Sequence, residues 1–179
     1  MKRDIEKVLF SETQLEKRIT ELGEQIAKDY EGKELIVVGI LKGSNIFTSD
    51  LVRKINLPLK IDFMVVSSYG NATESTGVVR ILKDLEHSVE EKHLLIVEDI
   101  VDSGLTLKYL KEMLLTRNPA SVKICTLLDK PAGRKEQIAI DYLGFEVPDE
   151  FIVGYGIDYA ERYRNLPFVG ILKREVYEK

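Results

Sequence analysis

LLIVEDIVDSGLTL, Leu94 to Leu107, is the stretch that decides the fold. Four apolar residues run into the adjacent carboxylates Glu98 and Asp99. A third acid, Asp102, then precedes Ser103, Gly104, Leu105 and Thr106, and an amphipathic segment follows. A short continuous apolar run of this kind reads as a buried strand of a parallel sheet. The strand ends in charge at about Val97, a tight loop follows, and Thr106 opens a helix. Loop amides and a helix N-terminus facing one point suit a phosphate, with the hydroxyls of Ser103 and Thr106 as further donors. The three acids cannot contact that phosphate without repulsion. They call for hydroxyls, protons or Mg²⁺, so the segment implies a phosphorylated polyol.

Outward from this segment, helical and strand patterns alternate. Ser11 and Gln14 form a potential capping box ahead of an apolar stripe at Leu15, Ile19, Leu22 and Ile26, and Gly32 ends that helix. Leu35 to Leu41, LIVVGIL, repeats the buried-strand pattern, and a helix is predicted over Asn45 to Lys54. Leu59 to Ser67 reads as a strand. SYGNATESTG, Ser68 to Gly77, is polar and without periodicity, which predicts an exposed, mobile loop, with Val78 to Leu82 returning from it. After the central strand come a helix to Arg117, stopped by Asn118 and Pro119, and a strand over Ser121 to Leu128. Short strands are expected at Tyr142–Phe145, Phe151–Tyr155 and Phe168–Leu172. The alternation predicts an α/β fold, a mostly parallel central sheet flanked by helices, whose ligands bind beyond the carboxyl ends of the strands.

The 179 residues are most simply one domain, 1–179, long enough to bury a real core. A hydrophobic fraction of 44% and a charged fraction of 31% are those of a soluble globular protein. The net charge of −4 offers no basic field for nucleic acid. The N-terminal MKRDIEKVLF lacks a signal peptide's apolar stretch, and no segment approaches a membrane span, so a cytoplasmic protein is expected. Cys125, the one cysteine, lies in an apolar run and reads as a buried structural thiol. His87 and His93 have no partner pattern that suggests a metal or a triad, and both read as surface residues. The chain has no G-x-x-x-x-G-K-[ST], G-x-G-x-x-G or C-x-x-C.

Each strand end carries a polar group. Leu41-Lys42-Gly43-Ser44 is either an ordinary strand-to-helix turn or a second anion site built from freed amides. Glu98 and Asp99 would point to opposite faces of a regular strand. Near a strand end both could reach one ribose, or hold Mg²⁺ directly or through water. Asp129-Lys130 is a solvated turn by default, or a lysine donating to a carbonyl of a flat heterocycle. Phe151 suits the core or a stacking platform. Arg164, near Asp158, is the side chain best suited to a diphosphate.

Taken together these residues resemble a known family. Val97 to Thr106 resembles the phosphoribosyl-diphosphate signature of type I phosphoribosyltransferases. With Leu41-Lys42-Gly43, Ser68-Tyr69, Asp129-Lys130, Phe151-Ile152-Val153-Gly154-Tyr155, Asp158-Tyr159 and Arg164, the set is similar to the 6-oxopurine (hypoxanthine-guanine) branch. The resemblance covers the chain from about Leu35 onward. It implies a hood formed by N- and C-terminal segments, a lid beginning at Ser68 and Tyr69, and a non-proline cis peptide at Leu41–Lys42.

The resemblance also implies roles. Asp102 to Thr106 would bind the 5′-phosphate, while Glu98 and Asp99 would read the ribose hydroxyls and hold Mg²⁺. Lys42, Gly43 and Arg164 would bind diphosphate. Lys130 would donate to the purine 6-oxo group, Phe151 would stack on the ring, and the Ile152 backbone would meet its 2-position. Asp158 would contact a second Mg²⁺ or a 2-amino group, and Asp102 would be the general base. Ile152 stands where many relatives have valine, a conservative departure. The implied activity is transfer of phosphoribosyl from 5-phosphoribosyl 1-diphosphate to hypoxanthine or guanine, by a homodimer or homotetramer. A xanthine-preferring enzyme and a non-catalytic nucleotide-sensing regulator on the same fold are the alternatives.

Overall fold

Residues 1–69 and 78–178 are described by the structure, a computed structural model. Helix α1 (Glu12–Asp29) opens on the expected capping box. Ser11 Oγ accepts from the Gln14 amide at 3.3 Å, and Gln14 Oε1 accepts from the Ser11 amide at 2.9 Å. Its buried face carries Leu15, Ile19, Leu22 and Ile26, as the spacing predicts.

Strands β2 (Leu35–Leu41), β3 (Leu59–Tyr69), β4 (Val78–Lys83), β5 (His93–Val101), β6 (Ser121–Asp129) and β7 (Tyr142–Glu146) form one sheet in the order β4-β3-β2-β5-β6-β7. All pair in parallel except β4, which lies antiparallel on β3. Helices α2 (Asn45–Val52) and α3 (Leu105–Leu115) connect them. The central strands carry apolar runs on both faces because helices cover both sides of the sheet. Val37, Leu95, Val97, Cys125 and Leu127 pack with α1 and α2. The alternate residues Val38, Leu94, Ile96 and Ile124 pack with Leu107, Leu110 and Leu114 of α3. Burial pushes the Cys125 thiol upward, in keeping with an inert core thiol.

A second sheet of three antiparallel strands, ordered β1-β9-β8, is built from β1 (Ile5–Phe10), β8 (Ile152–Val153) and β9 (Val169–Leu172). This is the anticipated hood. Ile152, Val169 and Ile171 enter the same core as α1 and α2. A short helix, α4 (Arg174–Tyr177), follows β9. Among the described residues no helix is long and apolar enough to cross a membrane.

Several expectations need correction. Strand β5 does not stop at Val97 but runs through the acids to Val101, with Glu98 level with Thr126 and Ile100 with Leu128. Backbone pairing on β6 holds the polar residues in the sheet, against their composition. Strand β1 was not anticipated, because IEKVLF buries no residue fully and lacks an apolar run. The strand expected over Phe151–Tyr155 shrinks to two residues, since Gly154 and Tyr155 turn at positive φ. His93 is half-buried rather than on the surface. It shares a 2.7 Å hydrogen bond with Ser121 Oγ, and burial lowers its pKa. Strand β3 includes Ser68 and Tyr69, and the rest of the expected mobile loop, 70–77, lies outside the described residues.

Candidate active site

The carboxyl ends of β2, β3 and β5 line one cleft, and Lys130 after β6 reaches Asp102 at its edge. After β5 the chain turns through Asp102 and Ser103 to Gly104, whose φ of +80° is the left-handed conformation that glycine adopts freely. Gly104 caps α3, so the first amides of that helix point into a cleft of about 270 Å³. Gly43, Glu98, Asp102, Ser103 and Thr106 are among the residues lining it. The loop amides and the hydroxyls of Ser103 and Thr106 are the donors that an anion needs at a helix N-terminus. A cleft of similar size lies at the opposite ends of the strands, against Leu35, Leu59, Ile61 and Val89, and contains none of these groups.

Glu98 and Asp99 are half-buried. Burial, and for Glu98 the adjacent Asp99 charge, pushes both carboxyls above their ordinary range. Two acids held this way favour a bound proton, a hydroxyl donor or a cation. The Asp99 carboxylate lies against the turn after β2. A Cβ on Gly43 would be 1.8 Å from Asp99 Oδ2, so only glycine admits the acid there. The Leu41–Lys42 peptide preceding that turn is cis, as the resemblance implies.

On the hood side, Arg164 donates to the Gly156 carbonyl at 2.8 Å and pairs with Asp158 at 2.9 Å. Glu161 reaches Arg164 at 3.4 Å and Lys42 at 3.0 Å. Gly156 packs directly on the turn, since a Cβ there would lie 2.1 Å from the Gly43 carbonyl oxygen. The arginine and lysine expected at a diphosphate are thus neighbours through one carboxylate. Across the cleft, Lys130 Nζ lies 3.5 Å from Asp102 Oδ2 and 3.5 Å from Asp149 Oδ1. Phe151 is half-buried. Tyr177 stacks on it with ring centroids 4.7 Å apart, and Tyr159 meets it edge-on at 5.3 Å.

Comparison with known proteins accords with this geometry. Residues 8–160 match the family described as phosphoribosyl transferase domain. The chain belongs to the phosphoribosyltransferase family. It is 56% identical over 178 residues to a hypoxanthine-guanine phosphoribosyltransferase of Bacillus subtilis (strain 168), covering 99% of each chain. It is 55% identical to the bifunctional protein TilS/HprT of Listeria monocytogenes serotype 4b, of which it spans 28%. A crystal structure of a hypoxanthine phosphoribosyltransferase from Staphylococcus aureus superposes with a TM-score of 0.98 at 54% identity, covering 100% of this chain and 97% of that one. The sheet order and hood described above are therefore the type I phosphoribosyltransferase fold.

Of the residues anticipated for a phosphoribosyltransferase site, Gly43, Glu98, Asp102, Ser103, Gly104 and Thr106 line this cleft. Asp99 lies on β5 beside Glu98, Leu105 opens α3 after the loop, Lys42 precedes Gly43 after β2, and Lys130 follows β6 and reaches Asp102. Asp158 is engaged with its own turn, accepting the Glu161 amide at 2.8 Å and pairing with Arg164. Ile152 is buried in β8, paired with Ile171. Asp129 pairs not with Lys130 but with Arg134. Sequence reasoning missed Arg134, Asp149, Glu161 and Tyr177. Each lies in a turn or terminal segment without periodicity, and its partner is remote or of unremarkable type.

Proposed function

We propose that this chain is a purine-salvage enzyme that transfers the 5-phosphoribosyl group from 5-phosphoribosyl 1-diphosphate to hypoxanthine or guanine, giving IMP or GMP and diphosphate. The observation that carries the reading is the 3.5 Å approach of Lys130 to Asp102 at the mouth of the phosphate loop. It supports a reading in which Lys130 is the cation for a purine oxo group and Asp102 the proton acceptor beside it, next to a cradle for a phosphorylated ribose. The relatives' names point to the same reaction.

In this reading the amides of Ser103 to Thr106 and the hydroxyls of Ser103 and Thr106 hold the 5′-phosphate. Glu98 and Asp99 accept from the ribose hydroxyls. Lys42, the Gly43 amide and Arg164 bind the diphosphate and stabilise the charge that grows on it as the anomeric bond lengthens. Lys130 donates to the 6-oxo group, Phe151 packs on the ring, and the Ile152 backbone reads the 2-position. Asp102 takes the purine proton at N7 as the nitrogen attacks the oxocarbenium-like carbon. Ser68 and Tyr69 begin the segment that would exclude water from that cation.

The acids fit Mg²⁺. Among the described residues no group of three metal-ligating side chains occurs. The carboxylate pair suits an ion that keeps waters and is shared with substrate oxygens, and Asp158 would serve a second ion. When bound, Mg²⁺ neutralises charge on the diphosphate leaving group. We further take the 179 residues as one domain, because hood and sheet share a core. The protein would work as a homodimer or homotetramer in the cytoplasm, without nucleic-acid or membrane partners.

The test is an ultraviolet assay of nucleotide formation from hypoxanthine, guanine and xanthine with phosphoribosyl diphosphate and Mg²⁺. Turnover of hypoxanthine and guanine is expected. Turnover of xanthine alone, or of none, would overturn the reading.

A further inference from the structure

The phosphoribosyl loop is braced from behind by a segment that has no part in the chemistry proposed above. After the turn at Pro131–Gly133, Arg134 runs back beneath the loop. Its Nε donates to the Asp102 carbonyl at 3.1 Å, and its Nη2 pairs with the Asp129 carboxylate. That pair is shielded, with the side chains only 18% and 12% exposed. Asp129 is the last residue of β6 and precedes Lys130. One guanidinium therefore bridges the residue before the purine-side lysine and the backbone of the residue that carries the base.

The bracing continues along the chain. The amides of Lys135 and Glu136 both donate to the Ser103 carbonyl, at 2.9 and 3.0 Å. Glu136 then pairs with Lys108 of α3 at 2.7 Å. Gly133 opens a notch for the acid, since a Cβ there would lie 1.6 Å from Asp102 Oδ1. The Asp102 side chain itself is 55% exposed, so little besides this segment and Lys130 sets its direction.

We infer that Arg134 is a positioning residue for proton transfer, holding the Asp102 backbone so that its carboxylate faces the purine beside Lys130. This rests on Asp102 being the base in the reading above. The planar fork of arginine reaches two acceptors from two nitrogens at fixed angles, whereas a lysine's single ammonium cannot hold both in that geometry. A misdirected base loses rate without losing substrate, because binding is carried by other groups.

The test is Arg134→Lys, which keeps a cation beside Asp129 but gives up the second hydrogen bond. The melting temperature should stay near wild type. The kcat should fall about fivefold, the weight of one ordinary hydrogen bond. KM for both substrates should remain within about twofold, since neither is touched. Placed on Asp102→Asn, the same change should alter kcat by less than about twofold, because residues acting through one group are not additive. Gly133→Ala, which fills the notch and leaves Arg134 in place, should show the same dependence on Asp102. Wild-type kcat in both variants, or equal losses with and without Asp102, would overturn the inference. Asp102→Asn with undiminished kcat would instead overturn the base assignment, and the positioning role with it.

Discussion

Gly156→Ala separates backbone strain from a broken contact between the hood and the diphosphate turn. Gly156 has φ +102°, where an L-residue costs roughly 1–3 kcal/mol. Its added Cβ would lie 2.1 Å from the Gly43 carbonyl oxygen, where ordinary contact begins at 3.4 Å. That oxygen is backbone and cannot rotate away, so hood and turn must part by roughly 1 Å, a shift that can cost on the order of 10²-fold in rate at reacting groups. Gly156 also donates to the Arg164 carbonyl at 2.9 Å and accepts from its guanidinium at 2.8 Å. The displacement therefore separates Arg164 from the Lys42–Gly43 turn. Taking about 2 kcal/mol for strain alone, a chain of this size should lose on the order of 4–8 °C in melting temperature. Gly32→Ala is the control: its φ is +73°, but nothing stands within 4 Å of its Cβ. Calorimetry on both variants, with KM for phosphoribosyl diphosphate, decides the matter. Gly156→Ala should destabilise more than Gly32→Ala and alone should raise that KM. Equal melting losses with KM unchanged in both would refute the packing argument.

Three other outcomes follow from the site. Asp102→Asn should lower kcat by about 10²-fold or more, in the range of general-base loss, with both KM values little changed; an unchanged kcat in steady-state assays removes the base. Lys130→Ala should weaken purine binding and leave phosphoribosyl-diphosphate binding nearly intact by calorimetric titration, because its partners Asp102 and Asp149 are both more than half exposed and can rehydrate. Equal loss for both ligands would make the lysine structural. Glu98→Gln tests the buried acids. Burial raises the folded-state pKa of Glu98 and Asp99, so the folded chain holds protons that the unfolded chain has lost. Stability therefore falls as pH rises from the unfolded values near 4 through the raised folded ones. Removing one charge should raise the melting temperature at pH 7–8 relative to wild type and leave it unchanged near pH 4; a loss of equal size at both pH values would sink this account.

The sheet was legible because its evidence is local. LIVVGIL and LLIV are apolar on both faces and VKICTLL nearly so, broken by Lys123 and Thr126, which suits a parallel sheet covered by helices. The capping box at Ser11 fixes where α1 starts. The hood was legible only through the resemblance. IEKVLF carries the adjacent charges Glu6 and Lys7 and no apolar alternation, and it is a strand because Val169–Leu172 offers it an edge. The site divides in the same way. Lys42, the three acids and Lys130 stand directly after apolar runs and could be picked out one by one. Arg134 and Glu161 could not, since their roles depend on a carbonyl and a lysine far along the chain.

What joins those residues is register. Strands β2 and β5 pair with Leu35 level with His93 and Gly39 level with Val97. Two residues beyond the last pair stand Leu41 and Asp99, and the turn at Lys42 and Gly43 packs on that acid. Strands β5 and β6 pair through Val101 and Asp129. One step on, Asp102 meets Lys130, and their 3.5 Å approach follows. A slip of one residue would reverse every side chain between the two faces, and the cores on both sides forbid it. The packing of Val37, Leu95 and Cys125 against α1, with Val38, Leu94 and Ile124 against α3, therefore sets the spacing of the chemical groups several residues away. Sequence shows which polar residues follow each apolar run. Only the packed core decides that the ends are level.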